Sequence, residues 1–346
     1  MKLNPKRWLY RILVVIIAGF ALLNLLAYNH ARAMMHFTRG GSRTQKPEQL
    51  TWDQRAKVLL VGVDLPRPES DRQPSELDPN CKRLSIPETD GVSLGTWYVD
   101  RGPRSPLVIL FHGYGAEKAS LMPEARVFLR LGASVLLVDF RGSGESSEAY
   151  TTIGFREADD VAAVLSYARR ALPHASTILY GKSMGAVAIL RAVSEDGAKP
   201  DAVIIEAVFD TMLNTVRHRF EAMGVPSFPS AELLVFWGGV QAGFNAFAHK
   251  PVVYAKALAC PALFMHGADD PRARLEEGRN VYAAVPGTKE FKTFPSIGHE
   301  SYQSRFPADW EGTVGDFLWK TVFEASLSAG SPPNARTRRS GDSVMP

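Results

Sequence analysis

Short apolar runs rich in Val, Ile and Leu recur from Lys82 to about Ala325, separated by stretches with helical spacing. The runs are Leu94–Val99, Leu107–Phe111, Ser134–Phe140, Thr177–Tyr180, Ala202–Ala207, Ala262–His266 and Glu290–Phe294. Between them the pattern predicts helices at Lys118–Leu131, Phe155–Leu172, Met184–Val193, Arg274–Ala284 and Ala308–Phe323. Strands that are apolar on both faces, alternating with amphipathic helices, predict an α/β protein whose parallel sheet is covered on both sides. More than fifty residues separate the run ending at Ala207 from the run beginning at Ala262. They include Leu233, Leu234, Val235, Phe236, Trp237, Phe244 and Phe247. A simple crossover needs far fewer residues. Residues 208–257 therefore read either as a helix pair on the sheet edge or as a cap lining an apolar pocket.

A different pattern opens the chain. Ile12–Ala27 is apolar at every position except Gly19 and Asn24. Widened to Trp8–Tyr28, the segment reaches roughly 30 Å as a helix, about one hydrocarbon core. Trp8, Tyr10 and Tyr28 flank it as an interfacial belt would. A cleaved signal peptide is the alternative, with Ala31-Arg32-Ala33 as its A-x-A site. Its apolar core would be longer than usual, however, and the site follows a polar, basic patch. A buried core helix would leave the charges of Lys2–Arg11 unexplained. Residues 1–34 are thus expected to be a single-pass membrane anchor. Four basic residues on a short N-terminal flank place that flank inside and the rest of the chain across the membrane. Secretion after cleavage is the alternative localisation. Residues 35–80, rich in proline, read as an extended lead-in with one short helix near Thr51–Leu60. Residues 81–325 form the folded domain, and the Ser/Gly/Pro/Arg-rich residues 326–346 a disordered tail.

The 346 residues are 45% hydrophobic and 22% charged, a globular composition. The formal charge of +4 would admit a nucleic-acid partner, but its distribution excludes one. Residues 1–46 hold eight Lys/Arg and no acid, and residues 47–327 carry 29 Lys/Arg against 35 Asp/Glu. The basic excess sits on the two ends, unlike a groove-binding footprint. Two cysteines, Cys81 and Cys260, make no disulfide framework, and no Cys/His cluster suggests a metal.

Gly181-Lys182-Ser183-Met184-Gly185 is a G-x-S-x-G match, weak alone but set between an apolar strand and the helical stretch from Ala186. A serine there stands at a helix N-terminus, where the dipole and free N–H groups favour developing negative charge. His112-Gly113-Tyr114-Gly115 follows another strand, and its loop can offer the Tyr114 amide to an oxyanion, with the Met184 amide as the second donor. His112 itself reads as a loop-orienting histidine. Asp270, in His266-Gly267-Ala268-Asp269-Asp270, and His299, after Ile297-Gly298, each follow a further strand. Ser, Asp, His in that chain order match one triad architecture. In it His299 takes the Ser183 proton and Asp270 holds the imidazole tautomer, with Asp269 as the rival acid. Asp139-Phe140-Arg141-Gly142-Ser143-Gly144-Glu145-Ser146 lacks a phosphate-loop spacing and a Walker lysine, so it reads as a tight turn pinned by Asp139 and Arg141.

Taken together, HGYG at 112–115, DFRGSGES at 139–146, YGKSMG at 180–185, HGADD at 266–270 and GH at 298–299 resemble the α/β-hydrolases. Within them the chain is most similar to the Bem46-like and ABHD-type serine hydrolases, over about residues 85–325. The resemblance implies an eight-stranded, mostly parallel sheet flanked by helices, with the helical insertion before the strand leading to the acid. It implies Ser183 as nucleophile, Asp270 as acid, His299 as base, and the amides of Tyr114 and Met184 as oxyanion donors. It implies no cofactor and no metal. The expected activity is hydrolysis of carboxylic acyl esters, thioesters or lipid-derived esters through an acyl-enzyme. A serine peptidase of the prolyl-peptidase type and a non-catalytic membrane scaffold are the alternatives. The expected partners are a small-molecule or lipid acyl ester and, through the N-terminal segment, a membrane.

Overall fold

The computed structural model describes residues 5–88 and 91–323; the tail expected to be disordered, 326–346, lies outside them. Eight strands form one sheet in the order β1-β2-β4-β3-β5-β6-β7-β8. They are β1 Lys82–Pro87, β2 Ser93–Val99, β3 Leu107–Phe111, β4 Ser134–Val138, β5 Thr177–Lys182, β6 Ala202–Glu206, β7 Ala262–Gly267 and β8 Lys289–Phe294. From β4 across to β8 every pairing is parallel, and β2 alone runs against its neighbours.

Every residue of β3, β4 and β6 is buried, which explains their unbroken apolar character. Alternation then splits each strand between two cores. In β3, Leu107, Ile109 and Phe111 face one and Val108 and Leu110 the other. The first core packs against α4 Glu157–Ala171, α5 Met184–Glu195 and the helices of the insertion. The second packs against α3 Met122–Arg130 and α11 Pro307–Leu318. Seven strands fall where the apolar runs predict. β1 had no such run: Lys-Arg-Leu-Ser-Ile-Pro is an edge strand in which only Ile86 is fully buried.

The insertion is helical: α6 Met212–Ala222, α7 Ser230–Ala242 and the single turn α8 Pro251–Tyr254. It packs against α1, a 31-residue helix from Pro5 to Met35. The Trp237 indole donates to Asn24 Oδ1 at 3.1 Å and packs edge-on to Tyr28. Gln241 donates to the Tyr28 carbonyl at 3.0 Å. The two halves of α1 therefore live in different surroundings. Trp8, Val15, Ile16, Ile17 and Phe20 project outward, each more than half exposed, whereas Ala27, His30, Ala31, Met34 and Met35 are buried.

Nor is the lead-in a free tether. It contains α2, Trp52–Val61, and is bonded to the domain. His36 bridges Tyr150 and Thr38 bridges Pro66. The Arg67 guanidinium donates to the carbonyls of Gly144, Ser146 and Glu148. The prolines removed the periodic signal without removing the contacts. The remaining helices are α9 Leu275–Ala284 and α10 Tyr302–Arg305. Cys81 and Cys260 are both free thiols.

Candidate active site

Because β3, β5, β7 and β8 are parallel, the loops after them open on one edge of the sheet. That edge is where open α/β sheets bind ligands. Ser183 sits between the end of β5 and the start of α5 with φ 52° and ψ −110°. This is left-handed backbone that non-glycine residues rarely adopt. The flanking glycines make the turn possible. A Cβ on Gly181 would come within 2.6 Å of the Ala186 amide nitrogen, and one on Gly185 would run into the Phe111 carbonyl. Close packing of β5, α5 and β3 thus holds the serine in its strained conformation.

The three widely separated residues meet. Ser183 Oγ lies 3.0 Å from His299 Nε2, and His299 Nδ1 lies 2.6 Å from Asp270 Oδ2. The other Asp270 oxygen accepts the amides of Arg272 at 2.9 Å and Ala273 at 3.0 Å. Burial pushes the Asp270 carboxyl up, but His299 and those amides outweigh it and hold it below its ordinary value. Burial also lowers His299 below the ordinary imidazole value, and Asp270 restores only part of that. The imidazole is therefore neutral at neutral pH, and the arrangement can move a proton from Ser183 Oγ to Nε2. The neighbouring Asp269 is exposed, and its amide is tied to the Ile297 carbonyl.

Tyr114 and Met184 flank Ser183, and among the described residues their amides take no part in the backbone hydrogen bonds of the turns around them. His112 is fully buried. It accepts the Phe140 amide on Nε2 at 3.1 Å and donates from Nδ1 to the Gly113 carbonyl at 2.9 Å, tying two loops together. Asp139 accepts the amides of Lys118 and Glu145 at 2.7 and 2.8 Å and pairs with the buried Lys118 ammonium. Arg141 pairs with Asp160 and with Glu88 at 2.9 Å. That loop is a structural turn beside the site.

A cavity of about 590 Å³ opens over Ser183 and His299. Its walls come partly from the insertion, the possible cap, and partly from α1 and the lead-in, which the sequence did not single out. α1 contributes His30 and Met34, the lead-in Arg43, Leu50 and Val58, and the insertion Val216, Arg219, Phe220, Met223 and Leu234. Arg272, beside Asp270, completes it. The Tyr114 hydroxyl donates to the Met34 carbonyl at 2.6 Å, joining the loop after β3 to the end of α1. Among the described residues, no group of three His, Cys, Asp or Glu side chains is placed to hold a metal.

Residues 102–218 match the family model described as serine aminopeptidase, S33. The uncharacterized protein YqkD of Bacillus subtilis is 27% identical over 238 residues, covering 67% of this chain and 77% of that protein. The lysophosphatidylserine lipase ABHD12 of Rattus norvegicus is 23% identical over 256 residues, covering 67% of this chain but only 62% of the lipase. Among solved structures, the Pyrococcus furiosus esterase Pf2001 superimposes with a TM-score of 0.62 at 23% identity. That match covers 75% of this chain and all of the esterase.

Proposed function

The chain is an α/β-hydrolase of the ABHD type, a hydrolase of the esterase and lipase kind, and from that premise we propose that it cleaves carboxylic acyl esters through a Ser183–His299–Asp270 triad. The observation that carries the reading is the continuous hydrogen-bonded line from Ser183 Oγ through the imidazole to a buried carboxylate. His299 Nε2 removes the hydroxyl proton as Oγ attacks the ester carbonyl. The amides of Tyr114 and Met184 hold the tetrahedral oxyanion, with the α5 N-terminus adding its dipole. Collapse expels the alcohol, which takes its proton from His299, and leaves an acyl-enzyme on Ser183. Water, deprotonated by the same histidine, then releases the acid. Asp270 keeps the proton on Nδ1 throughout and stabilises the imidazolium.

The setting of the cavity favours a lipid-derived substrate. We read the exposed half of α1 as a single membrane span with its basic N-terminal flank inside and the domain across the bilayer. His30 and Met34, which line the cavity, lie on the same helix as Leu22, about 12 and 18 Å further along its axis. An aminopeptidase reading draws support from the family description. The cavity argues against it, because its two carboxylates, Asp64 and Glu300, already face Lys57 and Lys46 rather than a substrate amine.

The test is labelling with a fluorophosphonate probe followed by peptide mapping, together with a panel of 4-nitrophenyl esters, monoacylglycerols and dipeptide amides. Probe on Ser183, turnover of the esters and loss of both in Ser183→Ala are expected. Turnover of the amides alone would replace the esterase by the peptidase. No labelling of folded protein would leave a scaffold.

A further inference from the structure

The cavity over Ser183 is apolar along the walls made by α2, α6 and α7, but its charge is one-sided. Five basic side chains reach it, Arg43, Lys46, Lys182, Arg219 and Arg272, against the carboxylates of Asp64 and Glu300. Those two carboxylates are spoken for: Asp64 lies 2.9 Å from Lys57 and Glu300 3.8 Å from Lys46. Lys182 is likewise matched, 3.3 Å from the buried Glu206.

Three guanidinium groups remain, and of these only Arg272 has a carboxylate within 4 Å among the described residues, that of Glu48. Arg43 donates to the backbone carbonyls of Gly115 and Tyr114, which satisfy its hydrogens without neutralising its charge. Arg272 donates to the His299 carbonyl at 2.9 Å. Its buried Nε has no hydrogen-bond partner among the described residues, and the carboxylate of Glu48 stands 3.8 Å away. Arg219 has neither an ion pair nor a hydrogen bond among the described residues. Its guanidinium stacks over the Tyr114 ring at 5.3 Å. Burial lowers its pKa, with the charges of Arg272 and Arg43 adding to the effect and those of Tyr114 and Glu48 opposing it.

A half-buried charge with no partner is costly, and the cost is recovered only when an anion arrives. Stacking on Tyr114 fixes the plane of the Arg219 fork, which suits bidentate contact with a phosphate or carboxylate. The position is specific as well. Arg272 is bonded to the backbone of His299 and Arg43 to that of Tyr114, so both flank the reacting centre rather than the far end of the cavity. We infer that Arg219, assisted by Arg272 and Arg43, forms an anion subsite beside Ser183, and that the substrate is an acyl ester carrying a phosphate or carboxylate on its alcohol side. The inference rests on the esterase reading only for the word ester, because the subsite itself can be tested by binding.

The experiment uses full-length protein in neutral detergent and three non-hydrolysable ethers: 1-O-hexadecylglycerol, its 3-phosphate and its 3-hemisuccinate. Calorimetry should show at least one anionic ether binding tenfold or more tighter than the neutral parent. Arg219→Gln should remove most of that advantage and Arg219→Lys should restore part of it, with thermal melting confirming that both variants are folded. The ratio of kcat/KM for 1-oleoylglycerol 3-phosphate to that for 1-oleoylglycerol should fall by a similar factor in Arg219→Gln. The stronger of the two anionic ethers tells phosphate from carboxylate. Equal binding of all three ethers, or an anionic advantage that survives Arg219→Gln in folded protein, would overturn the proposal. Anion-dependent binding together with no turnover and no probe on Ser183 would instead sink the esterase reading and keep the subsite.

Discussion

Replacing Asp270 by Asn separates two jobs of one carboxylate. Oδ1 accepts the amides of Arg272 and Ala273, while Oδ2 faces His299 Nδ1. An asparagine keeps one oxygen. If that oxygen stays on the two amides, its NH₂ donates to Nδ1 and leaves the imidazole proton on Nε2, aimed at Ser183. If the amide flips, two backbone N–H groups meet an NH₂ group, and buried donors go unpaired. The first arrangement is the cheaper, so the protein should fold and the base should be in the wrong tautomer. The loss expected in kcat is about 10⁴, equivalent to about 5 kcal/mol of transition-state stabilisation. Asp269→Asn is the control. That side chain is exposed, so kcat/KM should stay within about threefold of the wild type. The assay is steady-state hydrolysis of a 4-nitrophenyl ester with circular dichroism on each variant. A folded Asp270→Asn enzyme that keeps more than about a tenth of kcat would refute the reasoning, as would greater damage from Asp269→Asn.

The pH profile should carry the mark of a buried base. As the proposed base, His299 would work only when neutral, and burial lowers its pKa, so kcat/KM should rise with pH through an ionisation below the ordinary histidine value of 6.5 and be level from there to about pH 8. A midpoint above pH 7 would point to another group. Gly185→Ala places a methyl against the Phe111 carbonyl and close to that of His112, neither of which can give way, so about 3 kcal/mol should be lost. A melting temperature within about 2 °C of the wild type would show that the turn is looser than described.

How much of this was legible in the sequence follows from where the signal lay. Strands buried on both faces announce themselves, which is why β3, β4 and β6 fall where their apolar runs predict. β1 pairs only on one side and has no such run. The residues that meet at the sheet edge were readable because each follows a strand and a glycine-bearing turn fixes its place. Their distances, and the tie of Asp270 rather than Asp269 to His299, depend on a loop direction no local pattern encodes. The arginines were invisible. Arg219 lies on α6 among other charged residues and reads as a solvated helix face, and Arg43 and Arg272 lie in loops without periodicity. The two halves of α1 were equally hard to separate. An apolar run has no face to tell lipid from protein; the one polar side chain within it, Asn24, turns toward the domain, as does His30 just beyond it.

That division of α1 gives a decisive test of what the segment is. Removing residues 1–22 takes away a stretch whose described side chains, from residue 6 on, are exposed almost throughout, so a variant starting at Leu23 should leave the membrane pellet on alkaline carbonate washing. It should keep its melting temperature within about 2 °C and its esterase activity. Removing residues 1–33, the product expected from cleavage after Ala33, is a different matter. It strips Ala27, His30 and Ala31 from the core and abolishes the bonds of Trp237 to Asn24 and of Gln241 to Tyr28. It also frees the chain end at Met34, whose side chain is buried and whose carbonyl holds the Tyr114 hydroxyl. Two lost hydrogen bonds contribute about 1 kcal/mol each. Loosening a buried methionine adds about 1.5–3 kcal/mol. The sum, about 4 kcal/mol or more, is a large part of the 5–15 kcal/mol that typically holds a domain folded. The variant beginning at Met34 should therefore melt roughly 8 °C or more below the wild type or fail to fold. Its residual activity should fall further than its stability, because Tyr114 supplies both that hydroxyl and the proposed oxyanion amide. Should the Met34 variant instead be soluble, stable and fully active, the first 33 residues are a removable signal, and the helix does not belong to the mature enzyme.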